Sequence, residues 1–346
     1  MIPFLLINLV KIACVLWVML TIVAYTVLAE RKVCAWMQDR IGPNRVGPMG
    51  LMQPLADGLK FVFKEDVLSH HVNKVYFTLA PMIALVPALI TIAVVPWGSQ
   101  LIIPGLAEPV KGVIADLNVG ILFVFAISSL GVYGIVLAGW ASNSKYPFLG
   151  SIRSSAQMIS YEVCLGLSVV PVFMQVGSLN LSQVVEYQAQ PHHAWLAICQ
   201  PLSCFIFIVS AFAETNRLPF DLPEAEQELV GGYHTEYSSM KFAMFFMGEY
   251  AAMFVAAALM VTLFFGGWSL PFAPFNAPAQ TLGVGLAHIG IFLLKVCAFL
   301  FFYIWVRWTI PRFRYDQLMA LGWKLFIPLT LVNILISGVV LTLMSK

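Results

Sequence analysis

Long apolar stretches recur along the whole chain, and each is long enough to cross a lipid bilayer. A transmembrane helix needs about 20 apolar residues, whereas a transmembrane strand alternates polar and apolar side chains over about ten residues. The stretches here are continuous, as in residues 83–95 and 251–265. Because only helices and closed barrels satisfy the backbone within lipid, this pattern predicts an all-α, multi-pass membrane protein.

Eight such stretches define the expected architecture. The chain has 346 residues, of which 60% are hydrophobic and 10% are charged, against about 25% charged in soluble domains. We therefore expect a single integral membrane domain over residues 1–346, a polytopic transmembrane bundle of about eight helices with large cytoplasmic loops. The predicted spans are 3–28, 75–97, 119–141, 156–176, 196–213, 241–265, 283–306 and 325–344.

Basic residues predict the side of the membrane that each loop occupies. When the loops alternate across the bilayer, most of the 19 lysines and arginines fall on one side, which is typical of the cytoplasmic side. The cytoplasmic loops are then predicted at about 29–74, 142–155, 214–240 and 307–324, and both termini on the outer side. The formal net charge of +2 gives no indication of a nucleic-acid partner.

Cysteines and histidines show no metal-binding pattern. The six cysteines are scattered through mostly apolar sequence without a C-x-x-C pair. The histidine pairs 70–71 and 192–193 are adjacent in sequence, and adjacent residues do not share a helix face. We expect no metal site in this chain.

The first predicted loop mixes charges with glycine–proline turns. It contains Arg31, Arg40 and Asp57, and its second half is amphipathic. Such a segment is either a positively charged anchor in solvent or a loop folded over the mouth of a cavity.

The third predicted cytoplasmic loop is rich in carboxylates. Glu224 and Glu228 are four residues apart, a like-charge pair that destabilises a helix, and Glu214 begins the loop. Asp221, followed by Pro223, predicts the start of a helix. Crowded carboxylates keep protons because each charge raises the pKa of its neighbours, and the alternative is a solvated acidic face.

Two glutamates fall within predicted spans: Glu162, which follows Tyr161, and Glu249. Intramembrane carboxylates usually mark a proton or ion path because they are costly to bury. An ion pair with Lys295 or with an interfacial arginine is the structural alternative, and it explains one glutamate more easily than both. With Glu214, the two can form a chain of acids suited to a proton relay.

The last predicted loop alternates arginines, including Arg307, with aromatic residues. An interfacial aromatic belt has this composition. The same pattern suits docking of an acidic partner or binding of a planar polar headgroup.

These regions resemble those of a known family. Residues 30–66, 211–237 and 305–324 resemble the signature regions of the H-subunit family of NADH:quinone oxidoreductase, the bacterial counterpart of the mitochondrially encoded subunit one of respiratory complex I. Tyr161–Glu162 and Glu249–Tyr250 fall where that family has intramembrane acids. The resemblance covers essentially the whole chain.

The resemblance implies a membrane subunit of a proton-translocating NADH:quinone oxidoreductase, a translocase, in the plasma (inner) membrane of a bacterium rather than in an organelle. It implies a narrow quinone chamber formed with two peripheral iron–sulfur subunits, and small membrane subunits and lipid as further partners. Ubiquinone or menaquinone would be the substrate. FMN and the iron–sulfur clusters would lie on partner subunits, so no catalytic residue, metal or flavin is expected in this chain.

The family's roles carry over to two sets of residues. The expected chamber residues are Arg31, Arg40, Asp57, Phe246 and Arg307. The expected proton path contains Tyr161, Glu162, Glu214, Glu224, Glu228 and Glu249.

Two other functions remain open at this point. One is the homologous membrane subunit of a membrane-bound hydrogenase or of another donor:quinone complex. The other is a free-standing ion transporter, which would need a midplane site of broken helices and an internal repeat. Neither feature is evident in the sequence.

Overall fold

The computed structural model describes residues 2–104, 109–191, 193–223, 226–271 and 276–344. Helices dominate this part of the chain, which confirms the predicted all-α class. The sheet in it is a two-stranded antiparallel pair, β1 (Gln100–Leu101) and β2 (Val110–Lys111). The helices are α1 (Ile2–Met37), α2 (Gln53–Phe63), α3 (Lys74–Thr91), α4 (Gly120–Ser128), α5 (Leu130–Ala141), α6 (Lys145–Val176), α7 (Leu181–Ala189), α8 (Leu196–Cys199), α9 (Pro201–Glu214), α10 (Glu226–Leu229), α11 (Ser239–Phe264), α12 (Leu282–Thr309), α13 (Tyr315–Ala320) and α14 (Ile327–Met344).

Seven helical segments of the described chain are long and apolar enough to cross a membrane, and they confirm the predicted polytopic bundle. They are Leu6–Met37, Lys74–Val94, Gly120–Ala141, Lys145–Val176, Ser239–Phe264, Leu282–Thr309 and Tyr315–Met344. The eighth predicted span, 196–213, corresponds to the short helix α8 followed by the apolar α9, which is only 14 residues long.

Three helices extend beyond the predicted spans. Helix α1 continues to Met37 instead of ending at residue 28, α6 begins at Lys145 instead of residue 156, and the last span begins at Tyr315 instead of residue 325. Charged residues end an apolar stretch, but Glu, Arg and Lys are good helix formers. Hydropathy therefore locates the membrane boundary, and the helices project past it.

Helix α11 lies at the centre of the bundle. It packs against α1, α2, α3, α9 and α12, and its span is the most buried of the seven. Small residues at Ala256, Ala257 and Ala258 are buried and allow neighbouring helices to approach closely. Phe246 and Glu249 belong to this central helix.

The helix predicted to start near Asp221 is not observed at that position. Residues 221–223 are non-helical, and the next helical residues that the structure describes are those of α10, Glu226–Leu229. Asp221 pairs with Arg312, a residue distant in sequence, at 3.4 Å. Glu224 lies outside the described residues.

Candidate functional site

A cavity of about 460 Å³, here called the chamber cavity, lies between α1, α2 and α11. Its lining is mostly apolar and includes three of the five predicted chamber residues, Arg31, Asp57 and Phe246. Its volume is within the range of about 300–1,000 Å³ that small-molecule sites occupy. An apolar cavity with a few convergent polar groups can bind a ligand that has an apolar tail and a polar head.

An ion pair lies at the polar edge of the chamber cavity. Arg31 Nη1 donates to Asp57 Oδ2 at 2.7 Å. On α2, Gln53 Nε2 donates to the other carboxylate oxygen, Asp57 Oδ1, at 3.0 Å, because residues four apart face the same side of a helix. A guanidinium carries five N–H groups, so Arg31 keeps donors for a ligand in the cavity.

Behind the chamber cavity lies a largely buried group of two carboxylates, two guanidiniums and a tyrosine, here called the ion cluster: Glu30, Arg217, Glu249, Tyr250 and Arg307. The Glu30 carboxylate accepts hydrogen bonds from Tyr250 Oη at 2.7 Å, from Arg217 Nη1 at 3.3 Å and from Arg307 Nη1. The carboxylates and guanidiniums balance in charge, as buried charges require.

Arg217 is the centre of the ion cluster. Its Nε lies 2.5 Å from Glu249 Oε1, and its guanidinium lies 4.1 Å from the centroid of the Tyr250 ring. Burial by itself lowers the pKa of Arg217, but the carboxylates of Glu249 and Glu30 outweigh burial and raise it well above the ordinary value. The guanidinium therefore stays charged although its side chain is only 5% exposed.

The sequence offered two kinds of counter-ion for an intramembrane glutamate, Lys295 or an interfacial arginine, and the structure shows which of them pairs with Glu249. An arginine, Arg217, pairs with Glu249. Lys295 instead donates from Nζ to the backbone oxygens of Phe265 at 2.7 Å, Gly267 at 3.0 Å and Ser269 at 2.5 Å. Lys295 thereby satisfies carbonyl groups beyond the C-terminal end of α11.

A second cavity of about 110 Å³, here called the inner cavity, lies on the other side of α11. It is lined by Glu214 and Glu249, by Thr215 and Asn216, and by apolar residues of α3 to α6, α9 and α11. Tyr250 lines the chamber cavity, whereas Glu249 lines the inner cavity. The ion cluster thus connects the linings of the two cavities.

Glu214, which lines the inner cavity, lies close to another predicted acid, Glu162. The carboxylates of Glu162 and Glu214 interact electrostatically. Within the described part of the chain, no hydrogen bond or ion pair involves either carboxylate. The neighbouring Tyr161 is fully buried and donates from Oη to Leu318 O at 2.9 Å, which fixes α6 against α13.

The remaining predicted residues lie apart from these two cavities. Arg40 contacts Gln38 on the surface and does not line the chamber cavity. Arg307 contacts Glu30 in the ion cluster. Glu228 pairs with Arg153 at 2.7 Å, and both side chains are partly exposed.

Sequence reasoning did not assign Glu30, Arg217 or Tyr250 to the site. One signal was available, because an intramembrane carboxylate such as Glu249 requires a counter-charge, and Arg217 lies four residues beyond the predicted span 196–213. In the part of the chain that is described, no group of three His, Cys, Asp or Glu side chains is arranged to hold a metal ion.

Comparison with known proteins identifies the family. The sequence model of the NADH dehydrogenase family matches residues 10–338. The chain is 53% identical to the NADH-quinone oxidoreductase H subunit 2 of Koribacter versatilis over 98% of each chain. It is 48% identical to the H subunit 1 of the same enzyme from Cytophaga hutchinsonii over 97% of each chain. It is 50% identical to NADH-quinone oxidoreductase subunit 8 of Rhodothermus marinus, over 94% of this chain and 95% of that protein. Matches of this length confirm the resemblance seen in the loops, and the chain belongs to the NADH dehydrogenase family, with relatives named as the H subunit of NADH-quinone oxidoreductase.

Proposed function

We propose that this chain is the membrane subunit of a bacterial proton-translocating NADH:quinone oxidoreductase that forms the quinone chamber and links quinone reduction to proton translocation. The names of its relatives support the enzyme. The observation that carries the proposal is the ion cluster, which connects a cavity suited to a quinone with a cavity lined by two acids.

The chamber cavity fits the chemistry of a quinone. Its apolar walls suit an isoprenoid tail, and Arg31 can donate hydrogen bonds to a quinone oxygen near Asp57. Phe246 offers an aromatic face to a planar headgroup. Electrons would come from iron–sulfur clusters on peripheral partner subunits, which also carry the FMN, and the substrate would be ubiquinone or menaquinone.

The ion cluster offers a physical route for coupling. Tyr250 and Glu30 lie on the chamber side, and Arg217 contacts Glu30 and Glu249 at once. A charge or proton that changes on the chamber side alters how strongly the guanidinium holds Glu249, because charges interact strongly at low dielectric. We propose that protons then pass along Glu249, Glu214 and Glu162.

The remaining assignments belong to the same proposal. Arg40 and Arg307 shape the chamber together with the partner subunits, and Tyr161, Glu224 and Glu228 extend the proton path. Residues 1–346 form a single membrane domain, which lies in the bacterial plasma membrane. The basic loops face the cytoplasm and both termini face outward, as the positive-inside rule favours.

Filling the chamber cavity tests the function. Gly58 lies on α2 and lines this cavity, and a Cβ added there meets no atom within 4 Å. Gly58→Leu should therefore raise the KM for quinone in the assembled complex while NADH oxidation by an artificial acceptor is unchanged. Gly290→Leu is the matched control, since Gly290 is also an open helix position but lies outside the chamber cavity. Equal quinone kinetics in both variants would contradict the proposal.

A further inference from the structure

A separate apolar groove of about 420 Å³ lies at the other end of α1, between α1, α11, α12 and the β1–β2 pair. Its lining includes Lys11, Trp97, Phe254 and Phe292. Lys11 and Arg31 are about 30 Å apart along α1, at 1.5 Å per residue. The groove is therefore distinct from the chamber cavity.

The groove contains a cation without an acidic partner. Lys11 is half-buried, and its Nζ donates to Val113 O at 3.2 Å. Among the described residues, no carboxylate pairs with it, whereas the like charge of Lys111 lies close enough to repel it. An ammonium group has three donors, so Lys11 retains two for an anion.

The nearby carboxylate, that of Asp116, is paired with Lys111 and not with Lys11. Asp116 pairs with Lys111 at 2.8 Å and accepts a hydrogen bond from Asn180 at 2.8 Å. The hydrogen bond to Asp116 raises the pKa of Lys111, so Lys111 stays charged. Both lysines therefore contribute positive charge at this end of the groove, and only one of them has a counter-ion in the described part of the chain.

A second donor borders the same groove. Trp97 is among the lining residues, and its indole Nε1 is buried without a hydrogen-bond partner in the described structure. A buried donor left unpaired costs free energy. A ligand oxygen that accepts a hydrogen bond from Trp97 Nε1 would remove that cost.

The groove lies beside a helix with an exposed apolar face. Leu6, Leu9 and Trp17 on α1 have 63%, 65% and 71% of their surface exposed, and α1 is predicted to span the bilayer. An apolar groove open to the bilayer with uncompensated positive charge at its edge has the chemistry of a phospholipid site.

We propose that this groove binds one anionic phospholipid, with an acyl chain along the apolar walls and the phosphate on Lys11. The charge selects an anionic headgroup over a zwitterionic one. The alternative is that Lys11 serves only to donate a hydrogen bond to the Val113 carbonyl. The groove would then bind anionic and zwitterionic headgroups equally well.

Photo-crosslinking tests this site. The purified complex is placed in nanodiscs with diazirine-bearing phosphatidylglycerol or phosphatidylcholine, and the labelled peptides of this subunit are mapped by mass spectrometry. The proposal predicts preferential labelling of the groove segments of α1 and α12 by phosphatidylglycerol. Lys11→Met should reduce that preference about fivefold, the effect of one lysine on an anionic lipid, and Lys11→Arg should retain it.

Lys145→Met is the matched control, because Lys145 is exposed at the start of α6 and does not line the groove. It should leave the labelling preference unchanged. Equal labelling by both lipids, an unchanged preference in Lys11→Met, or labelling of partner subunits without labelling of the groove segments would each overturn the proposal.

Discussion

Glu249 and Tyr250 are consecutive residues of α11, yet they line different cavities: Tyr250 borders the chamber cavity and Glu249 the inner cavity. Consecutive helix residues point about 100° apart, since a turn has 3.6 residues. Arg217 contacts both, through the ion pair with Glu249 and the face of the Tyr250 ring. We therefore expect changes at the ion cluster to affect both cavities.

The pair at the edge of the chamber cavity gives the first prediction. Arg31→Ala and Asp57→Asn should each lower quinone reduction about tenfold, the effect of losing a hydrogen bond to a charged group. A partly exposed ion pair contributes little to stability, so assembly should persist. NADH oxidation by an artificial acceptor should be unchanged, because the proposed function places its site on other subunits. Arg45→Ala, at an exposed position between α1 and α2, is the control. Equal loss of both activities in Arg31→Ala or Asp57→Asn would indicate a structural role instead.

The Tyr250 hydroxyl gives the second prediction. Tyr250→Phe keeps the ring against Arg217 but removes the hydrogen bond of 2.7 Å to Glu30. We expect an assembled complex with quinone reduction slowed about tenfold, because a hydrogen bond to a charged group contributes about 1.5–3 kcal/mol. Tyr133→Phe, at an exposed tyrosine of α5, should leave the rate at the parental value. Identical rates in the two variants would remove Tyr250 from the coupling route.

Charge balance in the ion cluster gives the third prediction. Arg217→Met leaves Glu30 with Arg307 but removes the ion pair between Arg217 and Glu249, which should destabilise the subunit by about 3–5 kcal/mol. The content of assembled complex in membranes should fall. The double variant Arg217→Met with Glu249→Gln removes both charges and should recover much of that content. If the single and double variants assembled equally poorly, Arg217 would act through packing rather than through charge.

The sequence predicted the spans well because the length and hydropathy of an apolar stretch are local properties of the chain. It located α11 and α12 to within a few residues, but it ended α1 too early, since Glu30 and Arg31 interrupt the hydropathy and not the helix. The ion cluster could not be predicted in the same way. Glu30 and Arg217 are 187 positions apart, and their contact depends on how α1 and the segment after α9 pack against α11.

The chamber cavity shows the same division between local and distant contacts. Arg31, Asp57 and Phe246 were selected by family resemblance, and the packing of α1, α2 and α11 brings them to one cavity. Arg40 belongs to the same predicted set but contacts Gln38 of its own loop. No local pattern in the sequence distinguishes it from Arg31.

The most direct test of coupling is the simultaneous measurement of quinone reduction and proton translocation in proteoliposomes that contain the Glu162→Gln complex. Glu162 has no hydrogen bond or ion pair with a described residue and interacts with Glu214, so the amide should preserve assembly while it abolishes titration. Glu162→Asp should retain more of both activities. Glu186→Gln, at an exposed position of α7, is the control and should match the parent. We expect Glu162→Gln to lose quinone reduction and proton translocation together. A normally assembled Glu162→Gln complex that translocates protons at the parental ratio would contradict a role of Glu162 in the proton path.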